Sequence, residues 1–308
     1  MSASNLFAGA EQFPNPKADK RLAGLVGHDE RIAELVTNAV TLLDQRGIEE
    51  WSKKTHGKVL PAVTALLDRA PIFVFAGDVG VGKTEVAEVL GQAIATHTNL
   101  GVTLYPLSLT ARGRGAVGEM TTLLTSAFEL LRKDFGGVRD NTGTAASMGI
   151  LLIDEADAIA QSRELSDMHH EDRVGVNALL RGVDSLRGDR LPILTILCTN
   201  RVDSLDPAVL RRAAAIYVFK RPSEEQRLAL LTKLLEGTDI TDEEMKAIVA
   251  ATGETGQRPY GYTYSDLRQR LVPELASIAY RRNQPINFAL VEEVLARTPA
   301  TRPFGSNT

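Results

Sequence analysis

The chain has 308 residues, 44% hydrophobic and 24% charged, with a formal net charge of −4. That length and balance bound it to one or two globular domains and speak against a general nucleic-acid-binding surface, which needs a basic excess. A single cysteine, Cys198, excludes an internal disulfide framework and, lying in an apolar run, reads as a buried structural thiol. No apolar run approaches the length of a membrane span. Met1-Ser2-Ala3-Ser4 opens no basic-then-apolar leader, so a cytoplasmic protein is expected.

Residues 1–22 are polar and carry Phe13-Pro14-Asn15-Pro16, which predicts a flexible lead-in. Leu25-Val26-Gly27-His28-Asp29-Glu30 then leads into a helix with Ile32, Leu35, Val36, Val40, Leu42 and Leu43 as its apolar face. His28 fits a capping or adenine-side residue, or equally a surface turn. The basic stretch after Trp51 reads as a charged surface, and a second helix is expected over 59–67.

Ile72-Phe73-Val74-Phe75-Ala76 has the unbroken apolar character of a parallel strand buried on both faces. Gly77-Asp78-Val79-Gly80-Val81-Gly82-Lys83-Thr84 follows and fits G-x-x-x-x-G-K-[ST]; apolar residues at helical spacing come next. Strand, glycine loop and helix are the context that makes this motif a phosphate cradle. Glycines let backbone N–H groups turn toward a phosphate, the helix N-terminus adds its dipole, Lys83 reaches the β- and γ-phosphates, and Thr84 offers a hydroxyl to Mg²⁺.

A strand over 102–109 precedes a glycine-rich irregular stretch containing Arg112, Arg114, Ala116, Val117 and Gly118. A helix is expected over 120–131 and a small-residue loop over 136–148. Ile150-Leu151-Leu152-Ile153 is another buried strand, and it ends in Asp154-Glu155. Ligands of open α/β sheets bind at that strand edge. There Asp154 would hold Mg²⁺ and Glu155 would orient and deprotonate water. Alone this pattern is only a strand end; its order after the glycine loop gives it meaning. His169 and His170 in a charged loop lack the carboxylate or cysteine company of a metal site. A strand over 193–199 ends in Asn200, which is either a turn residue or an amide that polarises the attacking water. Leu205-Asp206-Pro207-Ala208-Val209-Leu210-Arg211-Arg212 reads as a turn and short helix, and 215–219 as the fifth strand. From Ser223 the pattern is helical only, over 224–235, 242–252, 264–282 and 287–297. Capping boxes stand at Ser223/Gln226 and Thr241/Glu244.

Together these residues resemble an AAA+ ATPase from Leu25 to Arg297. The resemblance implies an α/β P-loop domain with a five-stranded parallel sheet and central P-loop strand over residues 23–221. A four-helix lid over 222–300 and a tail over 301–308 would follow. It further implies ATP and Mg²⁺ as cofactors and a homo-hexameric ring with nucleotide at subunit interfaces. Asn200 is then a sensor, and Arg211 or Arg212 a finger reaching the neighbouring site. Arg268 becomes the lid sensor, and Val26, Gly27 and Glu85 join the nucleotide-binding residues. Within that superfamily Val209–Ala213 and Gly261 with Leu267-Arg268 are similar to the pachytene-checkpoint family, the remodellers of HORMA-domain proteins. The compact layout resembles its bacterial members, which accompany cyclic-oligonucleotide antiphage systems. Family pore loops carry an aromatic residue; here Ala116-Val117-Gly118 stands in its place, with Arg112 and Arg114 beside it. The expected function is ATP-driven remodelling of a HORMA-domain partner. The alternative is a DNA-acting ATPase of the replication-initiation or helicase-loader type, for which no nucleic-acid-binding module is visible.

Overall fold

The computed structural model describes residues 6–107, 119–136, 146–158, 170–256 and 258–304. The chain forms two compact units. Unit 1 comprises Met1–Gly24, Arg31–Ala76 and Thr84–Val218; unit 2 comprises Leu25–Glu30, Gly77–Lys83 and Phe219–Thr308.

The sheet is built from β1 (Glu11–Phe13), β2 (Ala70–Gly77), β3 (Gly101–Pro106), β4 (Ser147–Ile153), β5 (Ile193–Thr199) and β6 (Ala213–Phe219). Their spatial order is β1-β3-β4-β5-β2-β6. The pairs β3/β4, β4/β5 and β2/β5 are parallel. The P-loop strand β2 lies between β5 and β6, inside the sheet but one place from its edge. Strands β4 and β5 are buried almost throughout, because helices cover both faces of a parallel sheet. Register decides what meets at the ligand edge: Ala76 pairs with Thr199, and Ile153 with Leu197. Strand β4 therefore ends two residues short of β5, and Asp154 and Asn200 leave the same edge of the sheet one behind the other.

A sixth strand adds to the expected five, and it comes from the segment expected to be flexible. Strand β1 runs antiparallel to β3, Phe13 opposite Val102. It is followed by α1 (Pro16–Ala23), whose N-cap Asn15 accepts from the Ala18 N–H at 2.8 Å. The segment is fixed by α5 (Lys83–Thr98). Gln92 accepts the Asn15 N–H at 2.8 Å, and Arg21 pairs with Glu85 and Glu88. Phe13 fills the space a side chain at Gly91 would need: a Cβ there would stand 2.4 Å from its ring.

Between them lie α2 (Asp29–Leu43), α3 (Gln45–His56) and α4 (Pro61–Leu67). Then come α6 (Glu119–Phe135), α7 (His170–Gly188) and α8 (Pro207–Arg212). In unit 1 an apolar core cluster includes Ile72, Val74, Leu124, Leu131, Leu151, Ile153 and Leu197, all buried.

Unit 2 carries α9 (Glu224–Leu234), α10 (Asp242–Ala251), α11 (Val272–Arg282) and α12 (Phe288–Arg297). Both expected capping boxes are formed. The helix expected over 264–282 is regular only from Val272; Asp266–Leu271 winds as a π-helix, with the Val272 N–H reaching the Leu267 carbonyl. Pro273 explains the change, since it has no N–H to continue the α-ladder. Leu231, Leu267, Leu271, Leu275 and Val291 form this unit's core. Among the described residues no helix is long and apolar enough to cross a membrane.

Candidate nucleotide-binding and hydrolytic site

Within unit 1 the ends of β4 and β5 and the first turn of α5 supply a polar cluster. The Thr84 hydroxyl donates to Asp154 Oδ2 at 3.0 Å, and Asp154 Oδ1 accepts the Glu155 N–H at 2.9 Å. Glu155 is exposed and holds φ +50°, a left-handed conformation that costs a non-glycine residue of order 1 kcal/mol. The chain therefore turns sharply after the buried strand, with the second carboxylate at its rim. Thr199, buried at the tip of β5, donates to Asp157 Oδ1 at 3.0 Å and accepts the Arg201 N–H at 3.0 Å. Asp157 thus locks the turn after β4 to the strand that presents Asn200. Sequence reasoning stopped at Glu155 and missed it; a further carboxylate two residues on was the available signal.

Within unit 2 lies the loop Gly77–Lys83, the candidate phosphate cradle. Gly80 and Gly82 hold φ +76° and +93°. A Cβ on Gly82 would stand 2.8 Å from His28 Nε2, and one on Gly80 2.8 Å from Ser265 Cβ and Thr263 Oγ1. Backbone conformation and space both demand glycine there. The Lys83 ammonium is buried and donates to the carbonyls of Gly77 at 3.0 Å and Asp78 at 2.7 Å. The Gly80 carbonyl accepts the Ser265 N–H at 3.0 Å.

Of the two readings of His28, the surface turn falls. The residue is buried, with its ring 4.5 Å from that of Tyr264 and 6.1 Å from that of Phe219. Burial first, and then the Asp29 carboxylate, push the Tyr264 phenol up to about 12, so it stays protonated. Gly27 lies beside it at φ +84°, its carbonyl accepting from Gln226 Nε2 at 2.7 Å. Val26 packs against the core of this unit.

The remaining predicted residues are more exposed. Glu85 gives its carboxylate to Arg21 at 3.1 Å, which leaves its place in the first turn of α5 as its link to the cradle. Arg212 pairs through Nη1 with Asp184 of α7 at 3.0 Å, and Arg211 Nε donates to the Pro207 carbonyl at 3.3 Å. Arg268 is exposed on the π-helical turn. Arg112, Arg114, Ala116, Val117, Gly118 and His169 lie outside the described residues.

The donor set fits a nucleotide with Mg²⁺. A hydroxyl and a carboxylate oxygen 3.0 Å apart are hard ligands of the type Mg²⁺ prefers. Among the described residues no three His, Cys, Asp or Glu side chains gather into a metal cage.

The comparisons point the same way. Residues 73–221 match the model of the AAA family, ATPases associated with various cellular activities. CD-NTase-associated protein 6 of Escherichia coli strain MS 115-1 is 44% identical, over 97% of this chain and 96% of that protein. Among solved structures, a chain of the E. coli MS115-1 HORMA:CdnC:Trip13 complex superposes with a TM-score of 0.90 at 42% identity, covering 99% of each chain. Rhizobiales Trip13 superposes with a TM-score of 0.75 at 39% identity, covering 97% of this chain and 100% of that one.

Proposed function

The chain belongs to the AAA ATPases, in the group of CD-NTase-associated protein 6 and Trip13, and from that premise we propose that it spends ATP to remodel a HORMA-domain protein. The likeness at full length to a chain of a HORMA:CdnC:Trip13 complex carries the proposal. The setting would be cytoplasmic antiphage signalling, and the working form a homo-hexameric ring.

In this reading the amides of the Gly77–Thr84 loop and the Lys83 ammonium bind the β- and γ-phosphates of ATP. Thr84 and Asp154 hold Mg²⁺, which when bound screens phosphate charge. Glu155 takes the proton of the attacking water while Asn200 orients that water. Arg212 leaves Asp184 to reach the site of the neighbouring subunit, with Arg211 behind it, and Arg268 reports the γ-phosphate from the lid. Arg112, Arg114 and Val117 would line the pore, Val117 supplying apolar contact and the arginines binding carbonyls or acidic groups of the substrate.

The test is steady-state phosphate release from the purified chain with Mg²⁺ and ATP, with and without a HORMA-domain protein. Turnover that rises with the partner is expected. Turnover that ignores the partner but rises with DNA would contradict the proposal.

A further inference from the structure

Asp78 is the second residue of the phosphate loop and brings a carboxylate to a loop that must receive a polyanion. Such a charge opposes the ligand unless something nearby answers it. Four donors converge on it within unit 2. Arg221 Nε donates to Asp78 Oδ2 at 3.0 Å, and Arg221 Nη2 closes on the same oxygen. Asp78 Oδ1 accepts the N–H groups of Val79 at 2.9 Å and Phe304 at 3.1 Å. The two charged side chains are only 14% and 16% exposed, so solvent screens the pair weakly.

The guanidinium is itself held. Arg221 Nη1 donates to the carbonyls of Gly261 at 2.6 Å and Thr301 at 2.8 Å, and the group lies over the Tyr260 ring at 5.1 Å. The backbone of residue 78 matters as well, because its carbonyl accepts from Lys83 Nζ at 2.7 Å. Moving Asp78 would move a partner of the phosphate-binding ammonium.

We propose that Arg221 is a positioning residue for nucleotide binding: it neutralises Asp78 and holds the phosphate loop in its receptive shape, braced by Thr301 and Phe304. This rests on reading the loop as the triphosphate site. Arg221 acts through Asp78, so its importance depends on the carboxylate being there.

The experiment measures the affinity of the full chain for a fluorescent ATP analogue with Mg²⁺, with thermal melts on the same samples. Arg221→Ala should weaken binding on the order of tenfold, as expected for loss of charge-assisted hydrogen bonds to a poorly solvated carboxylate. Arg221→Ala/Asp78→Asn should bind more tightly than Arg221→Ala and match Asp78→Asn alone, because contacting residues couple. Wild-type affinity in Arg221→Ala would overturn the proposal. So would a double variant as weak as Arg221→Ala, which would make the arginine a scaffold and nothing more. Should Arg221→Ala fail to fold, Arg221→Lys with and without Asp78→Asn carries the same test, since lysine keeps the charge but loses the planar fork. A wild-type chain that binds no nucleotide, with Lys83→Ala no different, would instead overturn the reading of the loop itself.

Discussion

Glu155 combines an exposed carboxylate with a left-handed backbone, at the point where a buried strand ends beside Asp154. A general base is commonly worth about 10²–10⁴ in rate. Glu155→Gln keeps shape and turn while removing the base, so it should bind ATP as wild type does and hydrolyse it about a hundredfold more slowly or worse. Phosphate release and nucleotide binding, measured side by side, check this; near-wild-type turnover would remove Glu155 from the mechanism. Lys83, Thr84, Asp154 and Glu155 could be read from sequence because each is named by its immediate neighbours. The contacts of Asp157 with Thr199, of His28 with Tyr264 and of Asp78 with Arg221 could not. Their partners are far along the chain, 143 residues away for Arg221, and only the fold brings them together.

The strands and lid helices were legible because a sheet covered on both faces demands unbroken apolar runs, and capped amphipathic helices carry their own start signals. Strand β1 and helix α1 were not, since Asn15 and Arg21 find their partners on α5. The π-helical turn holds one more device, the buried Asp266. It accepts from Thr301 Oγ1 at 2.6 Å and Arg270 Nη1 at 2.7 Å, and from the N–H groups of Thr263 and Thr301, each at 3.0 Å. The Asp266 N–H returns a bond to Thr263 Oγ1 at 3.0 Å. Thr263-x-x-Asp266 is thus a capping box that the sequence spelled out and the reading passed over. Burial opposes ionisation of Asp266, but the bonds from Thr301, Thr263 and Arg270 outweigh it and hold its carboxyl below the usual range. A depressed folded value means stability that is present above the ordinary carboxylate pKa and lost as pH falls through the folded one. Asp266→Asn should cost about 2–3 kcal/mol near neutrality and flatten the acid limb of the stability profile. Chemical denaturation across pH reads both; an unchanged acid limb would contradict it.

At the scale of the assembly, the expected neighbour-reaching arginine is paired with Asp184 of its own chain. Both side chains are substantially exposed, so the pair is weak and easily exchanged for a phosphate. A finger is worth about 10³–10⁵ in rate. Arg212→Ala should therefore bind ATP yet turn over poorly, and Lys83→Ala should lose nucleotide. Mixing the two should restore part of the activity, because some interfaces then join an intact loop to an intact finger. No recovery on mixing would place Arg212 within its own subunit. The α/β fold and helical lid were readable from sequence; the proposed partner rests on family resemblance, first in the motifs around Arg212 and Arg268 and then in the likeness to whole proteins. The central claim is ATP-driven remodelling of a HORMA-domain protein, and the most direct measurement follows a labelled closure peptide leaving its HORMA complex by fluorescence anisotropy. The account predicts release with wild-type protein and ATP, and none with Glu155→Gln. Steady ATP hydrolysis with the peptide still bound would contradict it.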